Sequence, residues 1–164
     1  MSDFLSNFEK ANKNAKRLSN KILIDGKLIS PSTDSKIKVI NPSTGEGIGN
    51  APKCNKVDVD HAVKSSLNAF KEWKKIPARE RGRLVEQGAR KLEERRGEIE
   101  TLLALDTGNA LRTQAKPETA ASIELTRMFA GLSGEIKGEN YPPNISNTLH
   151  FTTRDPIGVV CAIV

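Results

Sequence analysis

Large side chains are scarce in this chain: aromatic residues make up 4% of its 164 positions, with one Trp and one Tyr. An interior must therefore be built from small and branched aliphatic groups, and ring stacking contributes little to it. Cysteine is equally sparse, with two residues, Cys54 and Cys161, whose separation fits neither a disulfide framework nor a metal-ligand spacing. There are two histidines, and no Ser-His-Asp or Cys-His arrangement presents itself. No apolar run is long enough to span a bilayer, and no secretory core region is present. The first residues are Lys-rich and include Asp3 and Glu9, whereas a mitochondrial leader is Arg-rich and poor in acids. A reducing, cytoplasmic setting is the default expectation.

What the chain does hold is an ordinary globular mixture, 37% hydrophobic and 28% charged, with a formal charge of +6 and a pI near 9.4. The length fits one domain. Much of the basic excess lies in residues 1–21, where Lys10, Lys13, Lys16, Arg17 and Lys21 face Glu9. Such a run can contact nucleic acid or anionic lipid, or simply form a solvated, frayed helix. No stacking aromatics accompany the lysines, so a basic nucleic-acid-binding protein is the last-ranked reading. Phe4, Phe8, Ala11, Ala15 and Leu18 recur at helical spacing and offer one thin apolar face for docking.

Next comes "ILIDGKLIS", two short strands joined by Asp25-Gly26, a strong hairpin signal. "KIKVINPSTGEGIG" supplies a strand through Ile37, Val39 and Ile40, then a turn from Asn41-Pro42 to Gly45. From Asp58, a candidate N-cap, the period becomes helical through Val59, Ala62, Val63, Ser66, Ala69, Phe70 and Trp73. Pro77 opens a second helix whose expected buried stripe is Leu84, Val85, Gly88 and Leu92. A third helix uses Ile99, Leu102, Leu103 and Leu105 and stops at Gly108, and a fourth covers "PETAASIELTRMFAGLSGEI". After Pro142-Pro143 the pattern alternates by twos, Leu149, Phe151 and Thr153 against Thr148, His150 and Thr152, as on an edge strand. "VVCAIV" has no alternation, as in a strand covered on both faces of a parallel sheet. A parallel sheet needs further crossovers, so the expectation is one end of something longer.

No catalytic group emerges from this reading. His61 and His150 fall on polar faces, Cys161 reads as a small hydrophobe in a buried strand, and "GEGIG" follows a turn without opening a helix.

The order of the motifs carries more. "VINPSTGEGIGNAP", "DVDHAVKSSLNAFKEWKKIPARERGRLV", "LEERRGEIETLLALDTGNAL" and "FTTRDPIGVVCAIV" together resemble the N-terminal portion of the NAD(P)-dependent aldehyde dehydrogenase superfamily, from Ile22 to Val164. The resemblance implies an α/β fold: the N-terminal hairpins and helices of a Rossmann-type cofactor domain, incomplete here, with part of an oligomerisation arm. It divides the chain into a basic arm (1–21), hairpins and four helices (22–140), an arm strand (141–156) and the first strand of the cofactor-domain sheet (157–164). It also implies that the nucleophilic Cys, the general-base Glu and the glycine motif near the pyrophosphate all lie downstream in the family. Cys161 matches a strand and not the nucleophile. In a complete enzyme a Cys thiolate attacks the aldehyde, hydride passes to nicotinamide, and Glu-activated water releases the acid.

For this chain the resemblance implies no catalytic residue, and cofactor approach only at Ile163 and Val164. It implies a structural monovalent cation held by backbone oxygen at Val39 or Ile40 with Asp106, although a plain turn and a helix-end Asp explain those residues equally well. Leu149 to Thr153 would pair between subunits of a homo-oligomer. The chain alone is expected to be inactive and to bind NAD or NADP weakly at most. A non-enzymatic truncated subunit or interaction module is the alternative. Asn109 stands after Gly108 where many members carry Lys, which bears on subfamily.

Overall fold

A computed structural model describes the backbone of residues 2–163 and the side chains of residues 5–163. Val164 and the side chain of Phe4 lie outside the described residues. The elements run α1 (Ser2–Leu18), β1 (Ile22–Ile24), β2 (Lys27–Ile29), β3 (Lys36–Ile40), β4 (Gly47–Pro52), α2 (Lys56–Trp73), α3 (Ala78–Glu94), α4 (Arg96–Thr107), α5 (Lys116–Leu132), β5 (Asn140–Tyr141) and β6 (His150–Phe151). The strands form three separate antiparallel hairpins, β1–β2, β3–β4 and β5–β6.

Both early turns follow from their residues. Ile24 pairs with Lys27, leaving Asp25 (φ 51°) and Gly26 (φ 69°) as a two-residue connection. Positive φ at both positions matches the strand twist, and Asp and Gly tolerate it. After β3, Asn41 folds the chain back: its carbonyl accepts from Gly45 N at 2.8 Å and its Oδ1 accepts from Ser43 N at 2.9 Å. Gly108, at φ 73°, ends α4 in the left-handed region and donates its N–H to Ala104 O at 3.0 Å. A Cβ on Gly108 would lie 2.6 Å from Pro42 Cγ, so the end of α4 rests directly on the Asn41-Pro42 turn.

The start of α2 differs from the expectation. Asn55 is the N-cap, its Oδ1 accepting from Val57 N (2.9 Å) and Asp58 N (3.2 Å). Asp58 stands three residues inside, where Oδ2 accepts from Asn55 N (3.2 Å) and Oδ1 from Ser32 N (2.8 Å). Asn-x-x-Asp closes a reciprocal box, and Asp58, from inside the helix, serves the Asn55 amide and also the remote Ser32 amide. The Ser32 amide in particular holds the Asp58 carboxyl below its ordinary pKa. Asn55→Ala is expected to cost about 1 kcal/mol, read as a lowered thermal midpoint.

The core lies between α3 and α5, with a second contact between α1 and α4. Gly82 and Ala89 of α3 are buried, as are Thr119, Ile123 and Ala130 of α5. Leu84 and Val85 are half-buried, whereas Gly88 and Leu92, expected in the stripe, are exposed. The reason is geometric: α5 approaches over the small residues Gly82 and Ala89, which permit close contact, and Leu92 falls to the side. A one-turn π-helix, Leu111–Ala115, precedes α5, and a 3₁₀ turn, Ser133–Glu135, follows it. The expected buried face of α2 is largely open, with Val59, Val63 and Trp73 exposed. Helix α1 does not fray away as a solvated arm. Ala11 is fully buried, and Asn14 Nδ2 donates to Glu98 Oε1 at 2.6 Å.

Residues 152–163 form no helix or strand, so the strand expected through "VVCAIV" is not formed. A strand exists only against a hydrogen-bonding neighbour, and among the described residues no strand lies beside this segment. Cys161, expected to be buried there, is exposed, as is Cys54, and both are free thiols.

Candidate functional site

Two of the three candidate cation-site residues meet in one cleft. A cavity of about 500 Å³ is bounded by the end of α1, the β3–β4 hairpin and α4, and both Val39 and Asp106 line it. Strand geometry accounts for the absence of Ile40 from the walls. Successive strand residues point to opposite faces. The ladder shifts between Val39, paired with Gly49, and Ile40, paired with Gly47, so Ile48 is an extra residue on β4. Ile48 joins Val39 in the cleft, and Ile40 is exposed.

The walls are held from two sides. The Asn41-Pro42 turn and Gly108 fix β3 against the end of α4. On the other side, Glu98 of α4 receives Asn14 of α1 and pairs with Arg95 Nη2 at 2.6 Å. The Arg95 guanidinium, with smaller contributions from Asn14 and Arg17, keeps the Glu98 carboxyl below the usual range. Gly97 lets α1 come close, since a Cβ there would lie 2.5 Å from Asn7 Nδ2. Ser19 then reaches β4, its Oγ accepting from Asn50 N at 2.9 Å. Neither the Asn14–Glu98 contact nor the Ser19–Asn50 contact was visible in the sequence, because each joins polar residues remote in the chain.

The fit to a bare cation is incomplete. A hard cation takes a shell of oxygen donors. Here the facing walls are Leu18, Val39, Ile48, Ile99, Leu102 and Leu103, and Asp106 is the one acidic residue in the lining. Among the described residues no group of three or more His, Cys, Asp or Glu side chains could hold a metal ion.

The cofactor candidate Ile163 is 94% exposed. Slightly earlier, Gly158 and Val159 lie in a shallow cleft against Phe70 and Trp73 of α2. These residues alone make no nucleotide pocket. Leu149 and Phe151, on and beside β6, are 71% and 61% exposed. One edge of β6 pairs with β5, where Tyr141 faces His150. Thr152 N continues the ladder to Glu139 O at 2.8 Å. His61 and His150 are exposed, as expected for polar-face residues. Among the described residues no helix is long and apolar enough to cross a membrane.

Comparison with known proteins gives a consistent picture. The sequence pattern of the aldehyde dehydrogenase family matches residues 29–164. Aldehyde dehydrogenase tropH of Talaromyces stipitatus is 35% identical over 149 residues, covering 90% of this chain and 29% of its own length. Betaine aldehyde dehydrogenase from Staphylococcus aureus, solved in complex with NAD+, superposes with a TM-score of 0.79 at 28% identity, over 87% of this chain and 29% of that one. An NAD-dependent benzaldehyde dehydrogenase from Corynebacterium glutamicum superposes at 0.73, also 28% identical, over 79% of this chain and 28% of its own. The chain thus spans 29% of the length of the curated relative it matches.

Proposed function

The chain belongs to the aldehyde dehydrogenase family, and on that premise we propose that it acts as the N-terminal segment of an NAD(P)-dependent enzyme oxidising an aldehyde to a carboxylic acid. The observation that supports this reading is a fold shared over 87% of the chain at a TM-score of 0.79 and 28% identity. The cofactor, NAD or NADP, would supply the hydride acceptor. The residues of this chain would supply scaffold: the β3 turn seated on Gly108, the α3–α5 pair, and the segment leading to Ile163 and Val164 at the edge of the cofactor site. In a complete enzyme, Val39 or Ile40 and Asp106 would contribute to a monovalent cation site, with the remaining donors from elsewhere. Leu149 to Thr153 would pair with the same strand of a second subunit, giving a homo-oligomer. The protein is assigned to the cytoplasm, with no role on nucleic acid.

The proposal places no catalytic residue here. The purified chain, mixed with an aldehyde and NAD or NADP, is expected to give no reduced cofactor above the buffer rate. Sustained reduction dependent on both reagents would overturn the assignment of the chemistry to other residues.

A further inference from the structure

We infer that the outer face of α1 docks on an anionic lipid surface. Helix α1 precedes the family match at residues 29–164, so this role stands apart from the dehydrogenase reading. Lys10, Lys13 and Arg17 lie three and four residues apart and share one face of the helix, with Lys16 beside Lys13 one turn on. All four are exposed, and among the described side chains of α1 Glu9 is the one acid. The other side is occupied. Ala11 is fully buried, Asn14 Nδ2 donates to Glu98 Oε1 at 2.6 Å, and Ser19 Oγ, just beyond the helix, accepts from Asn50 N at 2.9 Å. These contacts hold the four cations outward as a fixed ridge.

Charge patterning sets α1 apart from its neighbours. On α3 and α4, cations alternate with carboxylates at helical spacing, as in Arg83–Glu80, Arg90–Glu86, Lys91–Glu94 and Arg96–Glu100. On α1 the charges three and four residues apart are of one sign, which is unfavourable by itself and is relieved against a negative partner. Residues 1–21 carry five Lys or Arg against two Asp or Glu, so half of the chain's formal charge of +6 comes from this short segment. A lipid surface fits the ridge better than a nucleic acid does. Leu5 continues the row of Glu9 and Lys13 by four-residue steps and is 55% exposed. An aliphatic side chain beside lysines suits the boundary between headgroups and acyl chains. Single-stranded nucleic acid would call for aromatic rings to stack on, and Phe8, three residues before Ala11, falls on the docked side.

The test is flotation of the 164-residue chain with vesicles, which separates lipid-bound protein from self-associated protein that sediments. Vesicles of phosphatidylcholine with about 30% phosphatidylserine should bind it with half-saturation on the order of a millimolar accessible lipid. Pure phosphatidylcholine vesicles, which report what the exposed Leu125 and Phe129 of α5 do by themselves, should float roughly ten-fold less. Lys10→Gln with Lys13→Gln should weaken binding to the anionic vesicles roughly ten-fold or more. Lys64→Gln with Lys71→Gln removes the same charge from exposed positions on α2 and should change binding less than about two-fold. No flotation with anionic vesicles at about 10 mM lipid would overturn the inference. Equal flotation with neutral vesicles, or equal losses in the two double variants, would do the same, because binding would then belong to apolar surface or to net charge. So would a polyuridylate oligonucleotide that binds more tightly than the anionic vesicles and displaces the chain from them.

Discussion

Gly82→Ala is expected to destabilise the chain by about 2 kcal/mol, and Gly88→Ala on the same helix to stabilise it by about 0.5 to 1 kcal/mol. The two changes are chemically identical, so their opposite signs isolate what α5 imposes on α3. A Cβ at Gly82 would lie 2.1 Å from Ser133 Oγ and 2.4 Å from Ala130 O. The serine hydroxyl can rotate away, but the carbonyl is backbone, so α3 and α5 must separate. At Gly88 nothing lies within 4 Å of the added methyl, and the gain is the lower conformational freedom of Ala in the unfolded chain. Urea melts followed by circular dichroism measure both. Equal effects at the two positions would mean that α5 does not seat on Gly82.

The consequence of Gly82→Ala is large because little else is buried. Among the described residues Ile123, 1% exposed, is the largest fully buried side chain, and the other buried hydrophobic residues are Ile24 and four alanines: Ala11, Ala89, Ala115 and Ala130. A core of that kind gains its stability from close helix approach rather than from volume, so widening one helix pair removes a substantial part of it. The Arg127 side chain reinforces the pair from outside, reaching Glu93 at 3.7 Å and Glu86 at 4.0 Å on α3. Those groups are exposed or half-exposed, and water screens them.

Features set by neighbouring residues were legible in the sequence, and features set by distant partners were not. Asp25-Gly26, Asn41-Pro42 and Gly108 each dictate their own backbone, and each forms the turn or cap expected. At α2 both Asn55 and Asp58 are good caps, and the choice rests on Asp58 also serving the Ser32 amide, in the connection between β2 and β3. The π-turn at Leu111–Ala115 has no comparable signature. Apolar residues at helical spacing identified the helices, but spacing alone cannot say which face finds a partner, hence the open face of α2 and the exposed Leu92. "VVCAIV" has strand composition, yet a strand is a property of two segments. For the site, Val39 and Asp106 were paired through family resemblance, and the structure brings them to one cleft. The wall contributed by α1 precedes the family match at residues 29–164; the helical spacing of Ala15 and Leu18 announced an apolar face there but not what it packs against.

The isolated chain is expected to associate at micromolar concentration and to bind an apolar fluorescent dye, and α5 shows why. A compact monomer of 17.9 kDa should expose about 8,000 Å², whereas this chain exposes 12326 Å². Part of the exposed surface is apolar and organised. On α5, Thr119, Ile123 and Ala130 face α3, while Leu125, Met128, Phe129 and Leu132 recur at helical spacing on the opposite side and are all exposed. A helix apolar on two faces belongs between two layers, and here one layer is present. Leaving that stripe in water is unfavourable, and contiguous patches of this kind mark contact surfaces or drive aggregation. The double change Leu125→Lys and Phe129→Glu leaves the α3-facing residues untouched. It should therefore lower dye fluorescence at least roughly two-fold and shift elution toward the monomer, with the helical signal retained. A dye-silent unaltered chain eluting at its monomer mass would show that α5 is covered in solution by its own chain, and that the second layer it implies is not needed.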